Sequence, residues 1–542
     1  MLFRSINFIS KKSQGPIHGS VSLGYGSFDA FEGSGFVGGS LDERFDFDLG
    51  FRYYSQNEDY KVGRNTLISD PHPELLEQNI HTMENSTYST NSGSLRLGYR
   101  LNDNFRVDLR GAFFSAPSVH TPGNIWGTNG RDVKDVYRKT ADIAFTGNIG
   151  VHNLRFIPYW SRDESETKKQ SKTPKYVFKG TSEEYGFQLQ DAIGFGKHRF
   201  TAGVDYNTST YKTTKRTIDS GTLLPSSSPD LEKENIGLFG EASLSFFDER
   251  LIVNIGGRYD RTAFRLQETS FFVVDTGEET ENFFSPSLSM QYYIIPDELK
   301  IHSSVGRAFM SPTSTQKAGE FINTSGKLVR GNPDLKPESG IGWDAGITWS
   351  NEKKGYRVDV TYFDTSWDDF ITKETRSDYV TYVNASKARI RGAELEVSYD
   401  FGTLADYRYS LRCFANYTHQ FESRVRYNGV DEDMKYVRDG IGSFGIEYND
   451  FRFLKARLTA RYMGWQYGDN WLKTNDVVRP TKKDDVLKYS PSMVFDAMVG
   501  VSLTEQSTVT LTVKNLLDEN YAEADGYNMP GRSYGLRYSV NF

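Results

Sequence analysis

Seven residues in polar stretches carry the groups best suited to holding a ligand: Trp126, Arg330, Trp367, Tyr382, Trp465, Tyr467 and Trp471. Indole and phenol rings offer faces for stacking and for cations, and a guanidinium offers a permanent, planar positive charge. That is the chemistry of recognition, not of bond-making. Packing within a loop or at a membrane interface is an equal claim on each of the seven. The eight histidines, His18, His72, His81, His120, His152, His198, His302 and His419, are scattered, and Cys413 is alone, so neither a metal cluster nor a disulfide is expected. No Gly-x-Ser-x-Gly, His-Glu-x-x-His or phosphate loop occurs, and no enzyme is expected. Glu394 and Glu396 fall two apart, hence on one face of a strand, with no evident acid/base partner. They read as wall carboxylates meeting water or a packed partner.

The elements that must position these residues are strands. Residues 44–53 alternate cleanly, as do 94–101; the pair Asn102-Asp103 then turns the chain into 105–110, which alternates again. The same unit recurs with turns near Gly150, Gly196, Asp248-Glu249, Pro296-Asp297, Glu352-Lys353, Asn449-Asp450 and Glu505-Gln506. In the last ten residues, Tyr534, Leu536, Tyr538, Val540 and Phe542 fall on one face, and Ser533, Gly535, Arg537, Ser539 and Asn541 on the other. Between the short turns lie long polar connections at 56–89, 116–137, 163–180, 210–232, 308–339 and 466–492. The segments number about twenty-two, each of roughly ten residues, the length that crosses a bilayer when tilted.

Charge of both signs sits on the polar faces. Arg44, Asp46, Asp48 and Arg52 share one face, and Lys455, Arg457 and Arg461 oppose Leu454, Ala456, Leu458, Ala460 and Tyr462. Inside a closed sheet such charges require water or a polar filling, and a barrel of about this strand number is wide enough to need a plug. Cys413 falls on the apolar face of its strand, as a small hydrophobe.

The 542 residues are 37% hydrophobic, and no run of apolar residues is long enough for a membrane helix. A barrel needs none, because only alternate residues of each strand meet lipid. The aromatic fraction of 14%, with 33 Tyr and 37 Phe, suits strands and interfacial girdles. A net charge of −7 gives no reason to expect a nucleic-acid partner. Residues 1–8 have no apolar signal-peptide region, so an export signal is expected outside this chain.

Four stretches carry a family resemblance. Near the end come Asn515, Leu516, Asp518 and Tyr521, then Pro530-Gly531-Arg532, then a last strand closing on Phe542. Earlier come residues 304–313, with Met310 where Arg is common, and Asn332-Pro333-Asp334-Leu335-Lys336-Pro337-Glu338. Asn384, Ala388, Gly392 and Glu394 make the fourth. In this order they resemble the TonB-dependent outer-membrane receptors, from Ile6 to the end. The two prolines of 332–338 fix φ and hold a loop end extended, so a structural role is favoured there over ligand contact.

The resemblance implies an all-β transmembrane antiparallel barrel of about 22 strands in a Gram-negative outer membrane, with short periplasmic turns and long extracellular loops. It implies a single-chain receptor that captures a small-molecule iron chelate, a ferric siderophore first, with no cofactor. Cobalamin or another large nutrient stands behind. The absence of His from 313–332 counts against haem. Partners implied are outer-membrane lipid and LPS, a plug domain, and TonB-ExbB-ExbD acting through that plug. Residues 1–16 resemble the plug's end and its linker, and 17–542 the barrel. The chain alone is therefore expected to lack the gate and either to form a passive, poorly selective pore or to be unstable. A soluble β-rich adhesin is the rival outside the membrane.

Overall fold

The computed structural model describes residues 12–64, 81–122, 132–170, 172–226, 228–272, 278–322, 327–427, 429–469, 486–524 and 527–542. Among them, 22 strands follow in chain order, each hydrogen-bonded antiparallel to the next. The sheet closes where His18–Gly26 pairs with Ser533–Asn541, Val21 facing Val540 and Tyr25 facing Leu536. The amide of Gly19 donates to the Phe542 carbonyl at 2.8 Å. Closure leaves the unblunted C-terminal strand no free edge.

The radial order is the reverse of a soluble protein's. Leu23, Leu49, Leu109, Ile255, Trp343, Leu458 and Tyr538 point outward and are exposed, whereas Asp46, Arg96, Asp108, Asp260 and Thr348 point inward and are buried. An apolar outer band around a polar interior is stable only in lipid. Cys413 pairs with Ile446 and is half-buried on the outward side. No described helix is long and apolar enough to cross a membrane; the crossings are strands.

One end of the barrel carries tight turns built by Asx chemistry. Asp42 Oδ1 accepts from the amides of Arg44 and Phe45, and Asn102 Oδ1 from those of Asn104 and Phe105. The other end carries the long connections. Two connections there are short, 27–29 and 376–378, and one at the turn end, 401–409, is longer and holds a single 3-10 turn, Phe401–Ala405.

Strand length departs from the expected ten residues. Strands run from 8 residues in Ser507–Lys514 to 22 in Tyr379–Asp400. Most of the expected loop at 163–180 is ladder, in His152–Lys169 and Tyr176–Phe195, and half of 210–232 is too. Hydropathy alternation marks where lipid ends, not where pairing ends. Past that level both faces meet water, and cross-strand pairs such as Lys179–Glu164 at 2.7 Å and Arg138–Asp163 at 2.5 Å decorate the continuing sheet. Four short strands, Leu223–Leu224, Glu320–Ile322, Leu328–Arg330 and Val430–Asp433, augment this rim.

Candidate functional site

Among the described residues, two small apolar clusters organise the loop end. In the first, Leu335 packs with Val329, Ile371, Val380 and Tyr382. The segment 332–338 is stapled over it. Asn332 Nδ2 donates to the Tyr382 carbonyl at 2.9 Å; Asn384 accepts from the Lys336 amide at 2.8 Å and donates to the carbonyls of Lys336 and Asp369. Glu338 Oε1 accepts from the Ile371 amide at 2.7 Å, next to the register shift between Trp367 and Phe370. Between Pro333 and Pro337, which donate no backbone hydrogen bond, side chains carry the joins. Residue Thr313 caps the single-turn helix Ser314–Ala318 in a capping box with Gln316, and Lys317 is buried against Glu279 at 2.5 Å. On this body Arg330 lies 5.4 Å and Arg376 5.8 Å from the centre of the Tyr379 ring.

The second cluster holds Met463, Val494 and Tyr521, with Met529 against them. Asn515 is its knot. It is 2% exposed; its amide donates to the carbonyls of Glu519 and Pro530, and its oxygen accepts from the Glu519 amide at 2.8 Å. Asp518 accepts from the Arg532 amide and pairs with Arg64 at 3.0 Å, and the Gly531 amide donates to the Lys61 carbonyl. The Tyr60 hydroxyl donates to the Asn528 carbonyl at 2.6 Å, and burial pushes this phenol up to about 12, so it remains a donor. Burial also raises the Tyr521 phenol, which faces Arg461 at 3.3 Å. Beside this knot the short strands Gln466–Asp469 and Val486–Tyr489 pair. Lys488 Nζ sits 4.1 Å from the Trp465 ring centre and 5.8 Å from that of Tyr467. Beneath, against the barrel wall, lies a cavity of about 520 Å3 lined by Tyr54, Arg461, Lys514, Tyr521, Glu523 and Arg537.

The lumen wall carries the charges anticipated from the alternation. Asp46 and Asp48 face inward with Arg96, Arg106 and Asp108; Arg96 reaches Asp46 and Asp48 at 2.5 Å and Asp108 at 2.9 Å. Lys12 adds a pair to Asp108 at 2.8 Å, and the Ser13 amide donates to Asp48. Glu396 pairs with Arg357 at 3.1 Å, and Arg457 with Glu447 at 3.1 Å. Arg461 reaches up to Glu523.

Of the seven ligand candidates, Trp126 and Trp471 lie outside the described residues. Trp367 and Tyr382 are 6% and 7% exposed and pack inside the first body, Trp367 against Gly340. Arg330 stands at the surface of that body, while Trp465 and Tyr467 form a face with Lys488 on the second. The family-signature residues are joints: Asn332, Glu338, Asn515, Asp518 and Gly531 hold loop backbone, Leu335 and Tyr521 pack in the first and second clusters, Gly392 lies in the ladder, and Phe542, just past the last strand, exchanges backbone bonds with Gly19. Missed in the sequence were Lys488, Arg376 and Tyr379, because nothing local pairs a loop cation with a ring, and Arg438, because nothing local pairs a guanidinium with carbonyls on distant segments.

Comparison with known proteins agrees with this geometry. Residues 22–516 match the family model described as TonB dependent receptor-like, beta-barrel. A probable TonB-dependent siderophore receptor, PirA of Acinetobacter baumannii, is 24% identical over 314 residues, 49% of this chain and 39% of the relative. The fold superimposes on the siderophore receptor PirA from Acinetobacter baumannii with a TM-score of 0.74 at 16% identity, over 98% of this chain and 81% of that one. On the copper transporter OprC it gives 0.75 at 14% identity, over 98% and 84%. A mutant of the ferric enterobactin receptor PfeA from Pseudomonas aeruginosa gives 0.73 at 14% identity, over 98% and 81%. The chain belongs to the TonB-dependent receptors of the Gram-negative outer membrane, as their β-barrel.

Proposed function

We propose that this barrel takes up a ferric siderophore, with a plug polypeptide in its lumen and energy supplied by TonB-ExbB-ExbD through that plug. The observation that carries the ligand class is the Lys488, Trp465 and Tyr467 face at the extracellular mouth, with the Lys488 ammonium 4.1 Å from the indole. An anionic, ring-bearing iron chelate meets both halves of that face, charge on lysine and stacking on the aromatics. The Arg330, Arg376 and Tyr379 group on the other loop body repeats the chemistry. The relative PirA is itself described as a siderophore receptor. The inward charges around Asp108, which already accept Lys12 and Ser13 from a segment lying in the lumen, suit a polar plug.

The test is uptake of radioactive iron by cells that lack other siderophore receptors and express this barrel with a plug supplied. Uptake of an aryl-bearing ferric siderophore should saturate and should stop when TonB is deleted. Lys488→Ala and Trp465→Ala should each weaken binding by roughly tenfold, a loss in the range of one desolvated cation–π contact. Uptake indifferent to TonB would identify a passive pore instead. Unchanged affinity in both variants would remove the ligand face from the mouth.

A further inference from the structure

The ligand face on the second loop body stands on two short strands, and the barrel ladder alone does not fix it. Above the pairing of Gly440–Asn449 with Leu454–Met463, the ladder goes on through backbone bonds from Asp439 to the Trp465 carbonyl at 3.0 Å and from Tyr436 to the Tyr467 carbonyl at 2.7 Å. These bonds tie the aromatic segment to the 429–439 connection, which itself lies at the rim. Something must tie both to the body knotted by Asn515.

Arg438 lies at that junction. Its Nη1 donates to the Gly464 carbonyl at 2.8 Å, on the residue preceding Trp465, and its Nη2 donates to the Ala522 carbonyl at 2.7 Å, on the residue following Tyr521. Its own backbone bridges to Gln466. Gly464, Gln466 and Ala522 are all buried. A planar guanidinium suits such a junction, because two of its N–H groups point at two backbone acceptors on separate segments and the fork geometry sets the distance between them. Burial pushes its titration below the usual value, while Glu523, Tyr489 and Asp439 oppose that shift. Arg461 makes a further join to the terminal loop, to Glu523 and the Tyr521 hydroxyl.

We infer that Arg438 is a positioning residue for ligand capture: it sets Trp465, Tyr467 and Lys488 against the terminal loop without touching ligand itself. This inference rests on the reading of that face as the siderophore site. A lysine cannot replace it, because a single ammonium on a flexible stem does not span both carbonyls in one fixed geometry. The consequence is specific: loss of Arg438 should loosen the face and weaken binding, yet leave the transport step untouched once ligand is bound.

The experiment compares Arg438→Gln and Arg438→Lys with Arg426→Gln. Arg426 pairs with Asp431 at the exposed rim of the same connection and makes no described contact with Trp465 or Ala522. Amide hydrogen exchange is read first, on ligand-free barrel in detergent. In both Arg438 variants the amides of Tyr436 and Asp439 should lose protection by roughly tenfold, and in Arg426→Gln they should not. Binding and uptake of an aryl-bearing ferric siderophore are read second. Both Arg438 variants should raise the dissociation constant by roughly tenfold at an unchanged maximal uptake rate. Unchanged exchange, or full rescue by lysine, would overturn the inference. Lost protection with unchanged affinity would also overturn it, and if Lys488→Ala is silent as well, the ligand-site reading falls rather than the strut. A fall in maximal uptake at unchanged affinity would assign Arg438 to transport and not to positioning.

Discussion

The guanidinium of Arg106 lies against the backbone of Gly98, so close that a Cβ on Gly98 would come 1.9 Å from Nη2. The row Asp46, Gly98, Asp108 crosses three neighbouring strands, and Arg106 spans the bare centre to bond Asp46 at 2.6 Å and Asp108 at 2.7 Å. Among the described residues the arrangement recurs. Asp205, Gly237 and Asp260 form the second row, Arg258 spans it, and a Cβ on Gly237 would lie 2.0 Å from Nη2. In each clamp the arginine stands two residues before its own aspartate, so both point into the lumen. A charge facing the interior is thus paired across strands rather than left to the solvent of the lumen.

Alanine at Gly98 or Gly237 should therefore break a clamp. The added methyl meets a guanidinium already held by two carboxylates, which cannot swing aside without giving up an ion pair. The expected cost is about 1–3 kcal/mol, read as a lower urea midpoint for unfolding from bilayers. Gly35→Ala, where a Cβ meets nothing within 4 Å, should be close to neutral. Equal effects at Gly35 and Gly98 would show that the clamps contribute nothing to stability.

The two faces of a strand should answer differently to charge. Leu458 is exposed on the outer face, and its neighbour Thr459 faces inward near the Asp496 carbonyl. Leu458→Arg should cost about 2–4 kcal/mol if the site is near the bilayer midplane, as should the outward Val513→Arg, and Thr459→Arg should cost less. Folding yield in vesicles measures this. A reversed order would invert the inside and outside faces.

Asn515 should hold the terminal loop. Its side chain satisfies two carbonyls and one amide while buried, so Asn515→Ala strands those groups and should cost roughly 1–3 kcal/mol locally. Limited proteolysis should cut the segment near Glu519 faster in the variant, and the barrel should stay folded. Intact proteolytic resistance would show that the knot lies elsewhere.

At the turn end, Asp450 should make one turn acid-sensitive. Backbone bonds from Leu454 and Arg452, and then Phe453, hold its carboxyl below the usual range. A depressed folded value means the stabilisation is present above the unfolded value, near pH 4, and is lost as pH falls through the folded one. Protection of these three amides, corrected for the intrinsic exchange rate, should drop below about pH 4 in the native protein. In Asp450→Asn that step should vanish.

Much of this protein was legible in one dimension because a barrel strand meets unlike media on its two sides. That difference forces a period of two, and the period alone assigned Asp46, Asp48, Lys455 and Arg457 inward and Leu458 outward. The short turns at Asn102-Asp103 and Asn449-Asp450 followed from Asx chemistry, and closure followed from a terminal strand with no edge protection. What depended on tertiary structure was pairing between distant segments. Hydropathy ends at the lipid boundary, so it could not show that Tyr356–Thr375 and Tyr379–Asp400 continue as ladder above the membrane. Nor could it show that Trp367 and Tyr382 turn inward while Trp465 and Tyr467 meet Lys488. A loop side chain's fate is set by which other loop it lands against. Arg438 meets Ala522 only because the sheet sets the 429–439 connection and the last loop above nearby strands of one wall, although Ala522 lies 84 residues further along the chain.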